Sequence, residues 1–340
     1  MTPSKKALIL LSAIFIVISG IFIINYNLNS YSSSDPAAST VYIENGVSGV
    51  VTITDPFLNR TSELKIDYYP ISTGSGVIIT GDGYIITAFH VIGDPETSSK
   101  ENRAKKMENG DIIDYLEKAA LNQYISNANP QLDNQLINDT NNSQISNVAN
   151  TELALESLKQ KNLISTKSFK QVIKVRLPSS TGNINSIYSY DAQVIDFGDQ
   201  EKNEDIALLK INPLGNLPSL KIASKRPLVG DNIRIYGYPG NKGIQYQTES
   251  SLTPSSSSGL LTSTRPNYIG TVYYQTSAPT AKGYSGGPVV NNQNKVVGII
   301  IYGIERHSYL GEEFKSESSL FISSKHLINI CRKNNVNYFN

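Results

Sequence analysis

The stretch KGYSGGP at Lys282–Pro288 places one serine, Ser285, between glycines just before an apolar run. A serine hydroxyl is a weak nucleophile until a base takes its proton and amide groups stabilise the oxyanion. Gly283 can adopt backbone angles that are closed to other residues, so its amide and that of Ser285 can point to one spot. Taken alone, the stretch fits a nucleophile loop and a glycine turn between strands equally well.

Two upstream stretches favour the nucleophile loop. TAFHV at residues 87–91 follows a strand-like run and carries His90. EDIALLK at residues 204–210 puts Asp205 at the head of another apolar run. A catalytic serine needs a base at its hydroxyl and a carboxylate on the other nitrogen of that base. The sequence therefore predicts a catalytic triad of His90, Asp205 and Ser285.

These three stretches resemble the T-A-x-H-V, D-I-A-L-L and G-x-S-G-G-P motifs of the trypsin-like serine proteases. TGSGVII at residues 73–79 and DGYIIT at 82–87 narrow the resemblance to the HtrA/Deg proteases, and it covers roughly residues 47–93 and 171–330. The resemblance implies an all-β fold, the two six-stranded antiparallel β-barrels of the chymotrypsin fold. It also implies an oxyanion hole formed by the amides of Gly283 and Ser285.

The family resemblance has two departures. Tyr284 stands where a small polar or acidic residue is usual, and the chain after Ser285 is too short for the PDZ domain that many relatives carry. The expected function is that of a serine endopeptidase that cleaves unfolded or extended protein segments in extracytoplasmic quality control. Related enzymes are often trimers, so the resemblance also implies a homo-oligomer.

The resemblance also locates a substrate pocket, and we expect four residues to line it: Pro279, Ala281, Ile300 and Ile301. No acidic residue stands at its expected base, so a small or medium apolar side chain is favoured over Lys or Arg. The substrate is expected to lie as an added strand beside Ile299–Tyr302.

Two other functions fit parts of the pattern. Gly283–Gly287 also satisfies G-x-S-x-G, the nucleophile elbow of α/β-hydrolases, but that fold needs its acid and histidine after the serine. A catalytically silent, membrane-tethered module that binds extended peptides is the non-enzymatic alternative. The intact triad argues against it.

The N-terminus predicts a membrane anchor. Lys5 and Lys6 precede the apolar run Ala7–Ile24, which at about 1.5 Å per residue is near the minimum for crossing a bilayer. The basic flank predicts a cytoplasmic tail at 1–6, a transmembrane signal-anchor at 7–24 and a protease domain outside the cytoplasm. A cleaved signal peptide, and hence a secreted protein, is the competing interpretation. A polar linker is predicted at 25–45 and the protease domain at 46–335.

Residues 94–170 do not fit a barrel and predict an inserted helical hairpin. Its helices are expected at Asp111–Ser126 and Thr151–Ile164, with an Asn-rich stretch between them. The favoured interpretation is a solvated surface arm, because long surface insertions cost little. A lid or a partner-binding arm is the alternative.

Composition excludes several classes of function. The net charge of +1 gives no field that would attract nucleic acid. Cys331 is the only cysteine, so no internal disulfide forms, which is compatible with a bacterial exported protein. With three histidines, no cysteine cluster and no H-E-x-x-H, neither a metal site nor a cofactor is expected. His326 is expected at the surface of a closing helix, Ser324–Cys331.

Overall fold

The computed structural model describes nine segments of the chain: 35–55, 58–93, 111–128, 153–178, 189–199, 201–240, 252–267, 269–304 and 318–338. The β-strands of these segments close into two barrels of six strands each. The predicted pair of six-stranded antiparallel barrels is therefore confirmed.

The first barrel has the strand order β1-β2-β3-β6-β5-β4. Its strands are β1 (Thr40–Asp55), β2 (Arg60–Ile78), β3 (Tyr84–Thr87), β4 (Ile164–Arg176), β5 (Ser189–Phe197) and β6 (Ala207–Lys210). A four-residue helix, α1 (Phe89–Ile92), follows β3. The short strands β3 and β6 are almost fully buried, which explains why they read as continuous apolar runs in the sequence.

The second barrel has the strand order β10-β11-β12-β9-β8-β7. Its strands are β7 (Asn232–Gly237), β8 (Ser255–Pro266), β9 (Val272–Thr276), β10 (Pro288–Val290), β11 (Val296–Ile304) and β12 (Ser318–Ser323). Its interior is filled by aliphatic and aromatic side chains, among them Ile235, Tyr274, Val289, Ile300 and Phe321. The predicted closing helix is present as Ser324–Lys333, and it packs on β11 and β12.

The chain divides into two compact units. The first comprises residues 1–43, 74–89 and 175–340, and the second comprises residues 44–73 and 90–174. The first unit contains the whole second barrel and the strands β3, β5 and β6.

The second unit has its own hydrophobic core, built around the inserted segment. Helix α2 (Asp111–Ala128) and a further helix α3 at 153–160 pack against parts of β1, β2 and β4. Leu116 of α2 is 0% exposed and Leu155 of α3 is 6% exposed. The interpretation of this segment as a solvated arm is therefore wrong for these helices, since their apolar stripes complete a core.

Several boundaries differ from those predicted. The predicted linker at 25–45 overlaps β1, in which Val41 and Ile43 are fully buried. Residues 60–72, for which no strand was predicted, belong to β2. Residues 164–170, predicted to belong to the insertion, form the start of β4. Leu64 and Ile66 are buried and alternate with exposed charged residues, which is typical of a strand with one exposed face and is a signal that the sequence reasoning missed.

The predicted anchor at 7–24 lies outside the described residues, so it stays a prediction. None of the helices within the nine described segments is both long and apolar enough to cross a membrane.

Candidate active site

The loop around Ser285 uses two glycines in left-handed backbone conformations. Gly283 has φ +95° and Gly286 has φ +81°. A Cβ atom on Gly283 would lie 2.1 Å from the carbonyl oxygen of Tyr238. On Gly286 it would lie 2.2 Å from the carbonyl oxygen of Ser75. Both positions therefore require glycine for backbone angle and for space.

Hydrogen bonds orient the two peptide planes that carry the amides of Gly283 and of the half-buried Ser285. The carbonyl of the residue before Gly283 accepts from the amide of Gly240 at 2.6 Å. The carbonyl of the residue before Ser285 accepts from the amide of Gly287 at 2.8 Å. Because a trans peptide is planar with its C=O and N–H opposed, these bonds fix the directions of the Gly283 and Ser285 amides. In hydrogen bonds between described residues, neither of these two amides is a donor.

Ser75, near the end of β2, contacts the serine loop, and sequence reasoning gave it no role. It is 0% exposed, and its Oγ donates to the carbonyl of Gly283 at 2.6 Å. The amide of Tyr238 donates to the same Oγ at 2.9 Å, and the amide of Ser75 donates to the carbonyl of Ser285 at 2.8 Å. The only sequence signal was a serine between two glycines at the head of an apolar run.

Tyr284, the departure from the family pattern, is part of the second barrel. Its side chain is 6% exposed and packs in the core cluster with Tyr274 and Val289. Burial raises its pKa, partly offset by a hydrogen bond with Ser255. Tyr284 therefore anchors the serine loop through apolar packing.

Asp205 precedes β6 by two residues and is half-buried. Strand β6 pairs antiparallel with β3, and Thr87 lies opposite Ala207. Asp205 therefore lies just beyond the end of the β3–β6 pair at which β3 ends and β6 begins. The serine loop comes to the same end, because a Cβ on Gly286 would lie 2.2 Å from Thr87 Oγ1 and 2.8 Å from the Ala88 amide nitrogen.

Two other aspartates near Asp205 in the sequence, Asp196 and Asp199, bind other side chains. Asp196 accepts hydrogen bonds from Asn334 at 2.8 Å and from Lys333 at 2.7 Å. Burial alone would raise the pKa of Asp196, but these bonds bring it below its ordinary value. A hydrogen bond from Lys202 likewise lowers the pKa of Asp199. Both carboxylates therefore serve local ion pairs.

Side chains from other elements hold the loop that leads to Asp205. Tyr273 donates to the carbonyl of Asn203 at 2.5 Å, and Thr271 donates to that of Lys202 at 2.5 Å. The side chain of His326 lies 2.9 Å from Glu204 and is only 12% exposed. The expectation that His326 is a surface residue is therefore wrong, because the closing helix turns it toward this loop.

His90 is the second residue of α1 and the first residue of the second unit's 90–174 segment. It is half-buried and engaged in a polar or ring contact. The residues that follow it are fixed by side chains of their own unit. Ser72 donates to the carbonyl of Val91 at 2.8 Å, and Gln171 donates to that of Ile92 at 2.7 Å.

The four residues predicted to line a substrate pocket differ in exposure. Pro279 and Ala281 are exposed on the segment before the serine loop. Ile300 is 1% exposed and belongs to the core cluster of the second barrel, so its side chain is part of that core. Ile301 is 8% exposed. His307 lies outside the described residues, and among the described ones no group of three His, Cys, Asp or Glu could hold a metal.

Comparison with known proteins agrees with this architecture. The family model of the trypsin-like peptidase domain matches residues 139–299, which include Asp205 and Ser285. Serine endoprotease DegS of Salmonella typhimurium is 38% identical over 96 residues, which cover 28% of this chain and 25% of that protein. DegS of Escherichia coli K12 is 36% identical over 96 residues, with the same coverage.

The chain thus matches about a quarter of the length of these curated relatives. The matched family region contains strands β7 to β10 and the start of β11 of the second barrel, with the glycine-flanked serine. The two barrels and the serine loop thus agree with a resemblance to the trypsin-like peptidase domain and, over 96 residues, to the DegS serine endoproteases.

Proposed function

We propose that this protein is a serine endopeptidase that cleaves unfolded or extended protein segments. Ser285 attacks the peptide carbonyl, and His90 takes the serine proton and later gives it to the leaving amine. Asp205 orients His90 and stabilises its charged form. The water that hydrolyses the acyl-enzyme is activated by His90 in the same way.

The main support for the proposal is that the serine loop contacts the end of the β3–β6 strand pair. Gly286 packs on Thr87 and Ala88, and Thr87 lies opposite Ala207 in the strand register. His90 follows Ala88 by two residues, so its Cα lies within about 7.6 Å of that of Ala88. Chain connectivity thus supports a triad at this end of the strand pair.

The oxyanion hole is proposed at the amides of Gly283 and Ser285. Their peptide planes are fixed through the carbonyls held by Gly240 and Gly287, at 2.6 and 2.8 Å. Donors that are aimed before the reaction stabilise the developing negative charge without reorganisation, and losing one typically costs about 100- to 1000-fold in rate.

Strand β11 supports binding of the substrate as an added strand. Strand β12 pairs with β11 as far as Ile304, whereas β10 pairs with it only between Val296 and Ile299. Among the described strands, none pairs with the β10 side of residues 301–304. An extended peptide would find main-chain donors and acceptors there, a recognition that suits unfolded segments of varied sequence.

The experiment that tests the proposal compares the wild-type chain with Ser285→Ala. The wild type should hydrolyse casein and react with a fluorophosphonate probe, and the variant should do neither while keeping the same thermal transition. A catalytically silent peptide-binding module would bind casein but leave the probe unreacted. Hydrolysis by the variant within about tenfold of the wild type would show that Ser285 is not the nucleophile.

We further propose that residues 7–24 anchor the protein in a membrane, with the peptidase domain outside the cytoplasm. The support is the basic pair Lys5-Lys6 before an apolar run without charged residues. Fractionation and N-terminal sequencing of the expressed protein decide this. A soluble chain that begins after residue 25 would instead indicate a cleaved signal peptide.

A further inference from the structure

We propose that Ser75 is a positioning residue for the reaction, whose buried hydroxyl sets the backbone of Gly283 and so aims the oxyanion-stabilising amides. This inference rests on the proposed function, since it assigns a role within the same site. Ser75 lies far from Ser285 in sequence, at the end of a strand of the other barrel, and it does not contact the substrate. Its effect is transmitted through the serine loop alone.

The hydroxyl of Ser75 joins two backbone segments. Its Oγ accepts from the amide of Tyr238 at 2.9 Å and donates to the carbonyl of Gly283 at 2.6 Å. The segment after Tyr238 also supplies the amide of Gly240, which holds the peptide plane that precedes Gly283. The peptide planes before and after Gly283 are therefore both fixed. Gly240 holds the first, and Ser75 holds the second together with a longer bond, 3.2 Å, from the Tyr284 amide to the Ala281 carbonyl.

Gly283 needs this restraint because of its residue type. A glycine has more backbone freedom than any other residue, and Gly283 occupies φ +95°. When one of its two peptide planes is released, rotation about Gly283 can redirect its amide with no side chain to oppose the motion. The hydroxyl of Ser75 supplies this restraint.

The remaining polar atoms of Ser75 secure its own position. Its amide donates to the carbonyl of Ser285 at 2.8 Å, and its carbonyl accepts from Thr87 Oγ1 at 2.7 Å. With the side chain fully buried, every polar atom of Ser75 has a partner. Ser75→Ala would keep the two main-chain bonds but leave the Gly283 carbonyl and the Tyr238 amide without theirs.

The test compares Ser75→Ala with Thr40→Val in the full chain. Thr40 is also fully buried, and its hydroxyl donates to the carbonyl of Pro36 at 2.7 Å, so the control removes a similar buried bond that is not made to the serine loop. We expect kcat for a casein-derived peptide to fall about 10- to 100-fold in Ser75→Ala relative to Thr40→Val. KM should change by less than about threefold, and the rate of fluorophosphonate labelling should fall with kcat. The midpoint of the pH profile of kcat/KM should stay in place, because the base and its acid are untouched.

Two outcomes overturn the inference. One is a kcat of Ser75→Ala within about threefold of that of Thr40→Val, and the other is a loss confined to KM. If the alanine variant does not fold, Ser75→Cys decides, because it keeps the volume with a weaker donor: an unchanged kcat there contradicts the role. Failure of the proposed function is distinct, since the wild type itself would then show no labelling that depends on Ser285.

Discussion

The Nδ1 atom of His326 lies 2.9 Å from Oε1 of Glu204, the residue directly before the proposed catalytic acid Asp205. Both side chains are largely shielded from solvent, at 12% and 18% exposure. This short polar contact therefore joins the closing helix to the loop that leads to Asp205. The hydrogen bond with His326 lowers the pKa of Glu204 below its ordinary value of 4.5, against the opposing effect of burial.

This contact predicts a pH-dependent contribution to stability. Because the pKa of Glu204 is lowered by folding, its contribution is complete above pH 4.5 and is lost as the pH falls through the folded-state pKa. His326→Leu should lower the free energy of unfolding by about 1–3 kcal/mol at pH 7, and the difference from wild type should shrink toward pH 3. Urea unfolding at both pH values measures this. Lys325→Ala, at an exposed position of the same helix, is the control; an equal loss for His326→Leu at both pH values would contradict the linkage.

Gly283→Ala should reduce kcat by about 100-fold or more. The added Cβ would lie 2.1 Å from the Tyr238 carbonyl oxygen and would separate the amides of Gly283 and Ser285, which are proposed to form the oxyanion hole. Gly230→Ala is a matched control. Gly230 has nearly the same backbone angle, φ +94°, but has no atom within 4 Å of its Cβ position. Steady-state kinetics of both variants should show a loss of kcat at position 283 alone. Similar losses in the two would point to backbone strain as the cause.

Leu116→Ala should destabilise the protein by about 2–5 kcal/mol, because this α2 side chain is fully buried in the core of the second unit. Leu153→Ala, at a position 71% exposed on α3, should change the free energy of unfolding by less than about 0.5 kcal/mol. Chemical denaturation distinguishes the two variants.

Because the inserted helices complete this core, replacing residues 100–165 by a Gly/Ser linker should destabilise the fold. Retention of the wild-type transition would restore the solvated-arm interpretation.

Cys331 should react with thiol reagents only when the protein unfolds. Burial raises the pKa of its thiol to about 12, so at pH 8 only about one molecule in ten thousand carries the reactive thiolate. Labelling with a disulfide reagent across a urea titration should follow the unfolding transition measured by circular dichroism. Rapid labelling of the native protein would mean that the closing helix opens locally.

Short motifs predicted those parts of the fold that depend on residues close together in the sequence. The buried strands around Ile85 and Leu208 and the glycine-flanked Ser285 each show their role within a few neighbouring residues. Contacts that join distant parts of the chain carried no such signal. The hydroxyl of Ser75 meets Gly283 across 208 residues, and His326 meets Glu204 across 122. Strand β2 was missed although its polar and apolar side chains alternate, as in other half-exposed strands.

The strand order has a consequence for the sequence of folding events. All six strands of the second barrel lie between Asn232 and Ser323, in one continuous stretch of chain. The first barrel closes only when β1 meets β4, and there Thr52 bonds Ser165 across 113 residues that include the inserted helices. Because long loops raise the entropic cost of closure and slow the search, we expect the second barrel to form first. The serine loop would then form before the proposed base and acid are in place, so a newly made chain should gain activity only at the last step of folding.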